Sequence, residues 1–342
     1  MILVFTLAAC SSAGSGSSQA PGESQSASPA SSTAPAATAE PATIKLGVSN
    51  PTFSFTPIWV GAAKNSWAGE NLTVDLTVFQ SGSDAQVAML GDAIQLSAGA
   101  YTEPINLTAQ GKQTVAFGSI QGALPFRLMT RPELTDVKQL IGKTLGVSKV
   151  GSLTDQITRI VLQKEGIDPD QLKYQQAGSS PDRLAALQAG AFDGTVLDSP
   201  AYLEAQKAGM NTLIDLSTQL AGFPFEVLYA KKEVIEANQD TFARFMRGYI
   251  KAAQYATDPA NKDEVIKIVT EATGIKADAV KLAYEETIKD FPPTAAFTID
   301  GIKLALDGTK QYTDLPGLDN VTPEDLYYPD LQEKAAAALG LK

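Results

Sequence analysis

The stretch "TIKLGVSNPTFSFTPIWVGAAKNSW" (residues 43–67) has a counterpart in "KTLGVSKVGSLTDQITRIVLQKEG" (residues 143–166). Each begins with a short apolar segment typical of a buried strand and continues into a segment typical of a helix. The tetrapeptide LGVS at residues 46–49 recurs unchanged at residues 145–148, a shift of 99 residues. This recurrence predicts that the chain is built from two similar halves.

Two further short sequence features recur at nearly the same shift along the chain. The Gly-Ser pair at residues 82–83 recurs at residues 178–179, and Gly91 recurs as Gly190. All these features fall at matching places in a βαβαβ pattern, which implies mainly parallel sheets with helices on both faces. Ligands bind such sheets beyond the carboxyl ends of the strands. We therefore expect an α/β protein with two lobes and a ligand cleft between them.

Two segments are predicted to connect the lobes. "PFRLMTRPEL" (residues 125–134) and "FPFEVLYAKKEV" (residues 223–234) each combine a short apolar strand with basic residues. The pattern after the second segment is helical, so the chain is expected to return and cover lobe 1 with C-terminal helices. Lobe 1 is predicted to comprise residues 43–127 and 229–342, and lobe 2 residues 128–228.

The N-terminal region predicts a lipid anchor. "LAAC" ends at Cys10, the only cysteine, and resembles a bacterial lipobox; residues 1–9 would then be the remnant of a signal peptide. Residues 10–42 are rich in Ser, Ala and Pro and lack Lys and Arg, a composition typical of a disordered tether. A chance cysteine in a frayed leader is the alternative. No basic segment precedes Ile2, so the complete signal peptide is expected to begin upstream.

Composition excludes several classes of site. The 342-residue chain has 27 Lys and Arg against 38 Asp and Glu, a net charge of −11, which argues against nucleic-acid binding. It has no histidine, so a Ser-His-Asp or Cys-His nucleophile and an imidazole zinc site are excluded. One cysteine excludes a cysteine-rich metal site. We expect no cofactor, no metal and no enzymatic activity.

Four segments in this order resemble a known family: "IKLGVSNPTFSFTPIWVGAAKNSW", "FQSGSDAQVAMLGDAIQLSAG", "GKTLGVSKVGSLTDQITRIVLQKEGIDP" and "LQAGAFDGTVLDSPAYLEAQKAG". The chain is similar, over residues 44–274, to the substrate-binding proteins of bacterial ABC importers in the branch for nitrate, sulfonates, taurine and pyrimidine precursors. The resemblance implies a type II periplasmic-binding-protein-like fold and an extracytoplasmic, monomeric, lipid-anchored protein. It also implies a small-molecule ligand and an ABC permease as partners.

Two alternatives accompany this resemblance. A lipid-anchored ligand sensor would have the same sequence features. Enzymes of this fold that make a pyrimidine consume one of their own histidines, and the lack of histidine counts against that activity. The chain departs from the family at "LDSP" (residues 197–200) and at "QLSAGAYTEP" (residues 95–104), both expected at the cleft.

The loop Lys149–Thr154 joins a strand end to a helix start. Free N–H groups at Gly151, Ser152 and Leu153 are suited to an anion, with Lys149 adding charge. Ordinary capping of the helix by Ser152 or Thr154 is the equal alternative. The turn "QSGSD" (residues 80–84) has the same two interpretations, anion binding or helix capping.

Aromatic residues gather at the expected cleft, although core packing is the usual place of an aromatic side chain. Asp198 ends a strand and is suited either to accept a hydrogen bond from a ligand or to cap the next helix. The residues predicted to bind ligand are Asn50, Phe53, Phe55, Trp59, Ser81, Gly82, Ser83, Gly99, Ala100, Tyr101, Lys149, Gly151, Ser152, Leu153, Thr154, Asp198 and Phe223. The expected ligand is a small organic molecule with a ring. A carboxylate or sulfonate on it would lie at Gly151–Thr154, and a linear sulfonate such as taurine is the alternative.

Overall fold

The computed structural model describes residues 40–199 and 201–341. The predicted signal segment, Cys10 and residues 10–39 of the predicted tether lie outside this part of the chain. Among the described residues, no helix has both the length and the apolar character needed to cross a bilayer.

Within the described residues, ten strands form two five-stranded sheets. The strands are β1 (Ala42–Val48), β2 (Leu72–Val78), β3 (Leu96–Ala100), β4 (Thr114–Gln121), β5 (Phe126–Thr130), β6 (Thr144–Val147), β7 (Lys173–Gln176), β8 (Gly194–Asp198), β9 (Asn211–Asp215) and β10 (Glu226–Lys231). Sheet 1 has the order β2-β1-β3-β10-β4, and sheet 2 has the order β7-β6-β8-β5-β9. The orders match position by position, which confirms the prediction of two similar lobes.

One strand in each sheet runs against the others. In sheet 1, β1 is parallel to β2 and β3, whereas β10 is antiparallel to β3 and β4. In sheet 2, β6 is parallel to β7 and β8, whereas β5 is antiparallel to β8 and β9. Four of the five strands in each sheet therefore share a direction. The reversed strands lie in the two segments predicted to connect the lobes, so each lobe receives a strand from the crossing chain.

The glycine of the recurring LGVS motif is required by close packing in both sheets. A Cβ on Gly47 would lie 2.5 Å from Cδ1 of Ile94, and a Cβ on Gly146 would lie 2.4 Å from Cζ of Phe192. The leucine and valine on either side of each glycine are fully buried. The motif thus lets a buried side chain from the segment entering the neighbouring strand pack directly on the backbone.

Thirteen helices surround the sheets in the part of the chain that the structure describes. They are α1 (Thr56–Ala63), α2 (Gly82–Leu90), α3 (Thr102–Ala109), α4 (Leu153–Lys164), α5 (Ser180–Gln188), α6 (Ala201–Lys207), α7 (Leu216–Gln219), α8 (Lys232–Ala237), α9 (Gln239–Thr257), α10 (Lys262–Thr273), α11 (Ala277–Thr287), α12 (Ile299–Tyr312) and α13 (Asp330–Ala338).

The C-terminal helices cover sheet 1, as the sequence predicts, and one of them also reaches sheet 2. Helix α9 packs on α1 and β1, with the Trp67 indole donating to the Phe245 carbonyl at 2.9 Å. Helix α12 contacts α4, which flanks sheet 2. There the Gln156 side chain donates to Thr313 Oγ1 at 2.8 Å and accepts from Thr309 Oγ1 at 3.2 Å.

Candidate functional site

A cavity of about 370 Å³ lies where the carboxyl ends of strands from the two sheets meet. Residues after β1 and at the end of β4 come from sheet 1, whereas the start of α5 and the end of β8 come from sheet 2. This is the edge at which open α/β sheets bind ligands. Its polar lining residues are Thr52, Ser54, Gln121, Ser179, Ser180, Asp198, Ser199, Glu204 and Thr287.

Part of the cavity lining is apolar. Ile275 and three residues of α11, Ala279, Val280 and Ala283, line it together with Phe53. The Phe53 side chain is only 8% exposed, and its ring stands edge-on to Phe291 with centroids 5.8 Å apart. An apolar wall facing a few polar groups is typical of sites for small organic molecules.

Asp198 is held next to a buried guanidinium without a direct ion pair. Arg183 is 2% exposed and donates to the Val196 carbonyl at 3.1 and 3.2 Å, to the Gly178 carbonyl and to Ser180 Oγ at 2.9 Å. Burial raises the pKa of the Asp198 carboxyl above its ordinary value, while the Ser180 hydroxyl and the Arg183 charge act against that rise. Burial also lowers the pKa of Arg183.

Two polar atoms at this cavity are buried without a hydrogen-bond partner in the described residues: Oε1 of Gln121 and Oγ of Ser199. Gln121 is only 1% exposed. Leaving a buried polar atom unpaired costs about 1–3 kcal/mol, and a donor that reached either atom would remove that cost. The arrangement can bind a small molecule through an apolar body and a few hydrogen bonds.

A polar contact lies close to this cavity. Tyr202 donates to Oε2 of Glu286 at 3.0 Å, and the Arg127 guanidinium lies over the Tyr202 ring, 3.9 Å from its centroid. Arg127 and Tyr202 belong to the elements of sheet 2, whereas Glu286 belongs to α11, whose buried residues pack in the core of sheet 1. This contact therefore links the two lobes.

Phe53 and Asp198 are the predicted site residues that line the cavity. Phe55, Trp59, Tyr101 and Phe223 are at most 3% exposed and belong to the hydrophobic cores. The Trp59 indole, for example, donates to the Thr52 carbonyl at 2.8 Å. These four aromatic side chains therefore pack in the cores, which is the alternative that the sequence left open. Asn50 does not line the cavity, but its Oδ1 is buried without a partner.

The loop at Gly151–Thr154 lies outside this cavity, and several of its polar groups are bonded within the chain. The Gly151 N–H donates to Oδ2 of Asp155 at 2.7 Å, and Thr154 Oγ1 accepts from the Ser148 N–H at 2.9 Å. Ser152 Oγ lies 2.8 Å from Ser148 Oγ. Lys149 is exposed and Leu153 half-buried. The Gly151 N–H, which the sequence assigns to a ligand carboxylate, therefore pairs with the carboxylate of Asp155 instead.

The turn around Ser81 and Gly82 also faces a carboxyl of the chain. Ser81 caps α2 by accepting from the Asp84 N–H at 3.2 Å, and Ser83 beside it is exposed. A Cβ added to Gly82 would lie 2.1 Å from Oε1 of Glu103, and one on Gly99 would lie 2.3 Å from its Oε2. These two glycines thus make room for Glu103; Ala100, which follows Gly99, is half-buried.

Burial raises the pKa of Glu103 to about 7, against hydrogen bonds from Tyr229 Oη at 2.7 Å and from the backbone near Ala100. Glu226 is buried as well, and desolvation and the nearby Glu103 charge raise its pKa well above the ordinary value. Oε2 of Glu226 has no partner in the described residues. Sequence reasoning missed both acids, because a glutamate in the first turn of a helix or at a strand start is usually exposed.

Sequence reasoning also missed Gln121, Ser179, Ser180, Ser199 and the wall of α11. Ser179 was open to prediction, since it is the counterpart of Ser83 in the recurring Gly-Ser pair. The others carry no local signal, because they meet only when strand ends and a distant helix are brought together.

Comparisons with known proteins agree with this architecture. The family described as NMT1/THI5 like matches residues 52–262. The Bacillus subtilis protein YtlA is 23% identical over 249 residues, which cover 70% of this chain and 75% of YtlA.

Two solved structures show the fold. The periplasmic aliphatic sulphonate binding protein SsuA from Escherichia coli superposes with a TM-score of 0.68 at 17% identity, covering 84% of this chain and 99% of SsuA. The periplasmic nitrate-binding protein NrtA from Synechocystis gives a TM-score of 0.63 at 14% identity, covering 88% and 89%. The two-lobed periplasmic-binding-protein fold expected from the sequence is confirmed.

Proposed function

This chain belongs to the NMT1/THI5-like family, and from that premise we propose that it is the solute-binding component of an ABC importer. It captures a small organic molecule between its lobes and delivers it to a permease. The observation that carries the proposal is the cavity between the two sheets, whose lining combines apolar side chains with Gln121, Ser199 and other polar residues. The names of SsuA and NrtA, which include sulphonate and nitrate binding, support the same role.

The proposed role is binding rather than catalysis. Four serines line the cavity, Ser54, Ser179, Ser180 and Ser199, and a serine nucleophile needs an adjacent base. The chain has no histidine, and no lysine lines this cavity in the described part of the chain. Asp198 is the nearest acid, and its environment suits hydrogen bonding to a bound molecule.

We also propose that the protein is tethered through lipid on Cys10 to the outer face of the cell membrane. Two or more acyl chains give stable membrane anchoring where one gives only marginal binding. The test is a Cys10→Ser variant expressed behind a complete signal peptide, with Ser11→Ala as the matched control. We expect Cys10→Ser to move from the membrane fraction to the soluble fraction. A variant that stays membrane-bound would contradict the anchor.

The solute-binding role is tested in cells that lack this gene. Growth or uptake with single nutrients identifies those whose transport depends on the protein. Wild-type protein should restore that transport, whereas Phe53→Ala should restore it poorly because it removes the ring from the cavity wall. The control is Val87→Ala, which changes an exposed side chain on α2. Phe55→Tyr would not be a suitable control, because Phe55 is fully buried. Unaltered transport of every nutrient without the protein would overturn the importer role.

A further inference from the structure

We propose that the cavity between the two sheets holds an organic cation, a protonated amine on an apolar body, rather than an anion. The inference rests on the proposed solute-binding function and names the chemical class of its ligand. Three sets of contacts carry it: the charges that line the cavity, its unpartnered acceptor, and the carboxylates that occupy the anion-binding turns.

The ionisable side chains lining the cavity are acidic. Asp198 and Glu204 line it, and no Lys or Arg among the described residues does. The positive charge of Arg183 acts on Asp198. The N–H groups of Arg183, however, donate to the Val196 and Gly178 carbonyls and to Ser180 Oγ. An anion entering the cavity would meet two carboxyl groups and no cation free to pair with it, which is unfavourable in a partly desolvated site.

The unpartnered acceptor favours a hydrogen-bond donor. Oε1 of Gln121, a residue 1% exposed, has no partner in the described residues, and Gln121 lines the cavity. A carbonyl oxygen only accepts hydrogen bonds, as does an ionised Asp198. An ammonium group carries a positive charge and up to three donors, so it is suited to acceptors of this kind. Phe53 and the wall of α11 then cover the apolar body of the ligand.

The two turns best suited to an anion already hold carboxyl groups of this chain. The Gly151 N–H donates to Asp155 at 2.7 Å, and Asp155 is further paired with Arg159 at 2.8 Å. The space above Gly82 and Gly99 is filled by the Glu103 carboxyl. A ligand carboxylate or sulfonate would have to displace one of these internal acids before binding there.

The test compares three probes that share one body: benzylamine, benzyl alcohol and benzenesulfonate. Calorimetry at pH 7 should show the amine binding at least about tenfold more tightly than the other two. Asp198→Asn should weaken benzylamine binding about 30-fold, the usual loss when a buried charge pair loses one partner, and leave benzyl alcohol unchanged. Asp170→Asn, an exposed aspartate in the same lobe, is the control and should change nothing. Circular dichroism establishes that each variant is folded.

A second arm uses the protein purified from its own host. Denaturation should release a small molecule that reacts with an amine reagent such as dansyl chloride. Benzenesulfonate binding above benzylamine, equal binding of amine and alcohol, or release of an acid without a basic nitrogen would overturn the cation inference and leave the solute-binding function standing. If no probe binds and nothing is released, the cation inference fails, and the transport test in cells decides the solute-binding function.

Discussion

Buried acids in the two lobes are surrounded differently. Near sheet 2, Asp155 is 1% exposed and pairs with Arg159 at 2.8 Å, and the half-buried Asp193 pairs with Arg131. Near sheet 1, Glu103 is 7% exposed and has a tyrosine hydroxyl rather than a cation as its side-chain partner. Glu103 therefore differs from Asp155 and Asp193 in the kind of partner it has, although the two lobes share one strand order.

The difference teaches where this fold tolerates change. Strand order depends on the buried apolar residues and the close-packed glycines that the lobes share, whereas the ends of the strands are free to diverge. At matching positions, β10 begins with Glu226 and β5 begins with Phe126, while β3 ends with Ala100 and β8 ends with Asp198. One of these diverged ends, Asp198, lines the ligand cavity. Substitutions of buried residues in each lobe test this comparison.

The largest effect is expected from removing the buried cation of lobe 2. Arg183→Met leaves the Val196 and Gly178 carbonyls without their donor and removes the positive charge near Asp198, and each buried acceptor left unpaired costs about 1–3 kcal/mol. Urea unfolding at pH 7, followed by circular dichroism, measures the loss. Lys207→Met, which removes an exposed cation of the same lobe, should cost little. A loss below about 1 kcal/mol for Arg183→Met would contradict this view of lobe 2.

Removing the charge of Glu103, an acid of lobe 1, is expected to stabilise the folded protein at neutral pH, whereas removing the charge of Arg183 destabilises it. Glu103 titrates at about 7 in the folded protein and near 4.5 in the unfolded chain, so the folded state holds the proton more tightly. Its contribution to stability is fully present below pH 4.5 and is lost as the pH rises to about 7. The loss is about 3 kcal/mol between pH 4 and pH 8.

Glu103→Gln should remove this dependence, because glutamine does not titrate and still accepts from Tyr229. The variant should be more stable than the wild type at pH 8 by about 3 kcal/mol more than at pH 4. Urea unfolding at a series of pH values measures the difference, and Glu236→Gln, on the exposed side of α8, is the control. If Glu103→Gln keeps the wild-type dependence between pH 4.5 and 7, the pKa assigned to Glu103 is wrong.

A third comparison uses the glycine that the lobes share. A methyl group at Gly146 would meet three ring atoms of Phe192 at 2.4–2.7 Å, and that ring is only 2% exposed. At Gly47 the nearest atom is the terminal methyl of Ile94 at 2.5 Å, followed by the half-buried Phe79 ring at 2.9 Å. A methyl can rotate away more easily than a packed ring.

Gly146→Ala should therefore cost about 1–3 kcal/mol, in the range of overpacked cores, and Gly47→Ala should cost less. Thermal unfolding of the two variants side by side measures the order. Gly69→Ala, where a Cβ would meet no atom within 4 Å, controls for the loss of backbone freedom. The reverse order would mean that sheet 1, not sheet 2, is the more tightly packed lobe at this position.

The sequence predicted the two lobes because their signals are local. An apolar strand, a close-packed glycine and a capped helix each occupy a few consecutive residues, and all recur at shifts of 96–99 residues. The chain crossings were also predictable, since β5 and β10 are apolar strands outside the recurring pattern.

The cavity was only partly predictable because it is assembled from distant segments. Phe53 and Phe55 are two residues apart with similar neighbours, yet Phe53 lines the cavity and Phe55 is fully buried in the core of sheet 1. Only the direction of a 3₁₀ turn at residues 53–55 separates them. Gln121 becomes part of the cavity because β4 ends beside it, and no feature of the neighbouring sequence marks that end as functional.

The smallest expected effect concerns the serines that cap α2 and α5. Ser81 accepts from the Asp84 N–H, whereas Ser179 forms a complete capping box in which Asp182 also accepts from the Ser179 N–H at 3.2 Å. Loss of an N-cap costs about 0.5–2 kcal/mol. Ser179→Ala and Ser81→Ala should each cost a similar amount within that range, because each removes a hydroxyl that accepts from the backbone N–H three residues on and donates to the aspartate there. Chemical unfolding measures the two losses. Because Ser179 lines the cavity and Ser81 does not, only Ser179→Ala should also change ligand affinity; equal changes in affinity for both variants would place the ligand against both helix starts and weaken the distinction between the lobes.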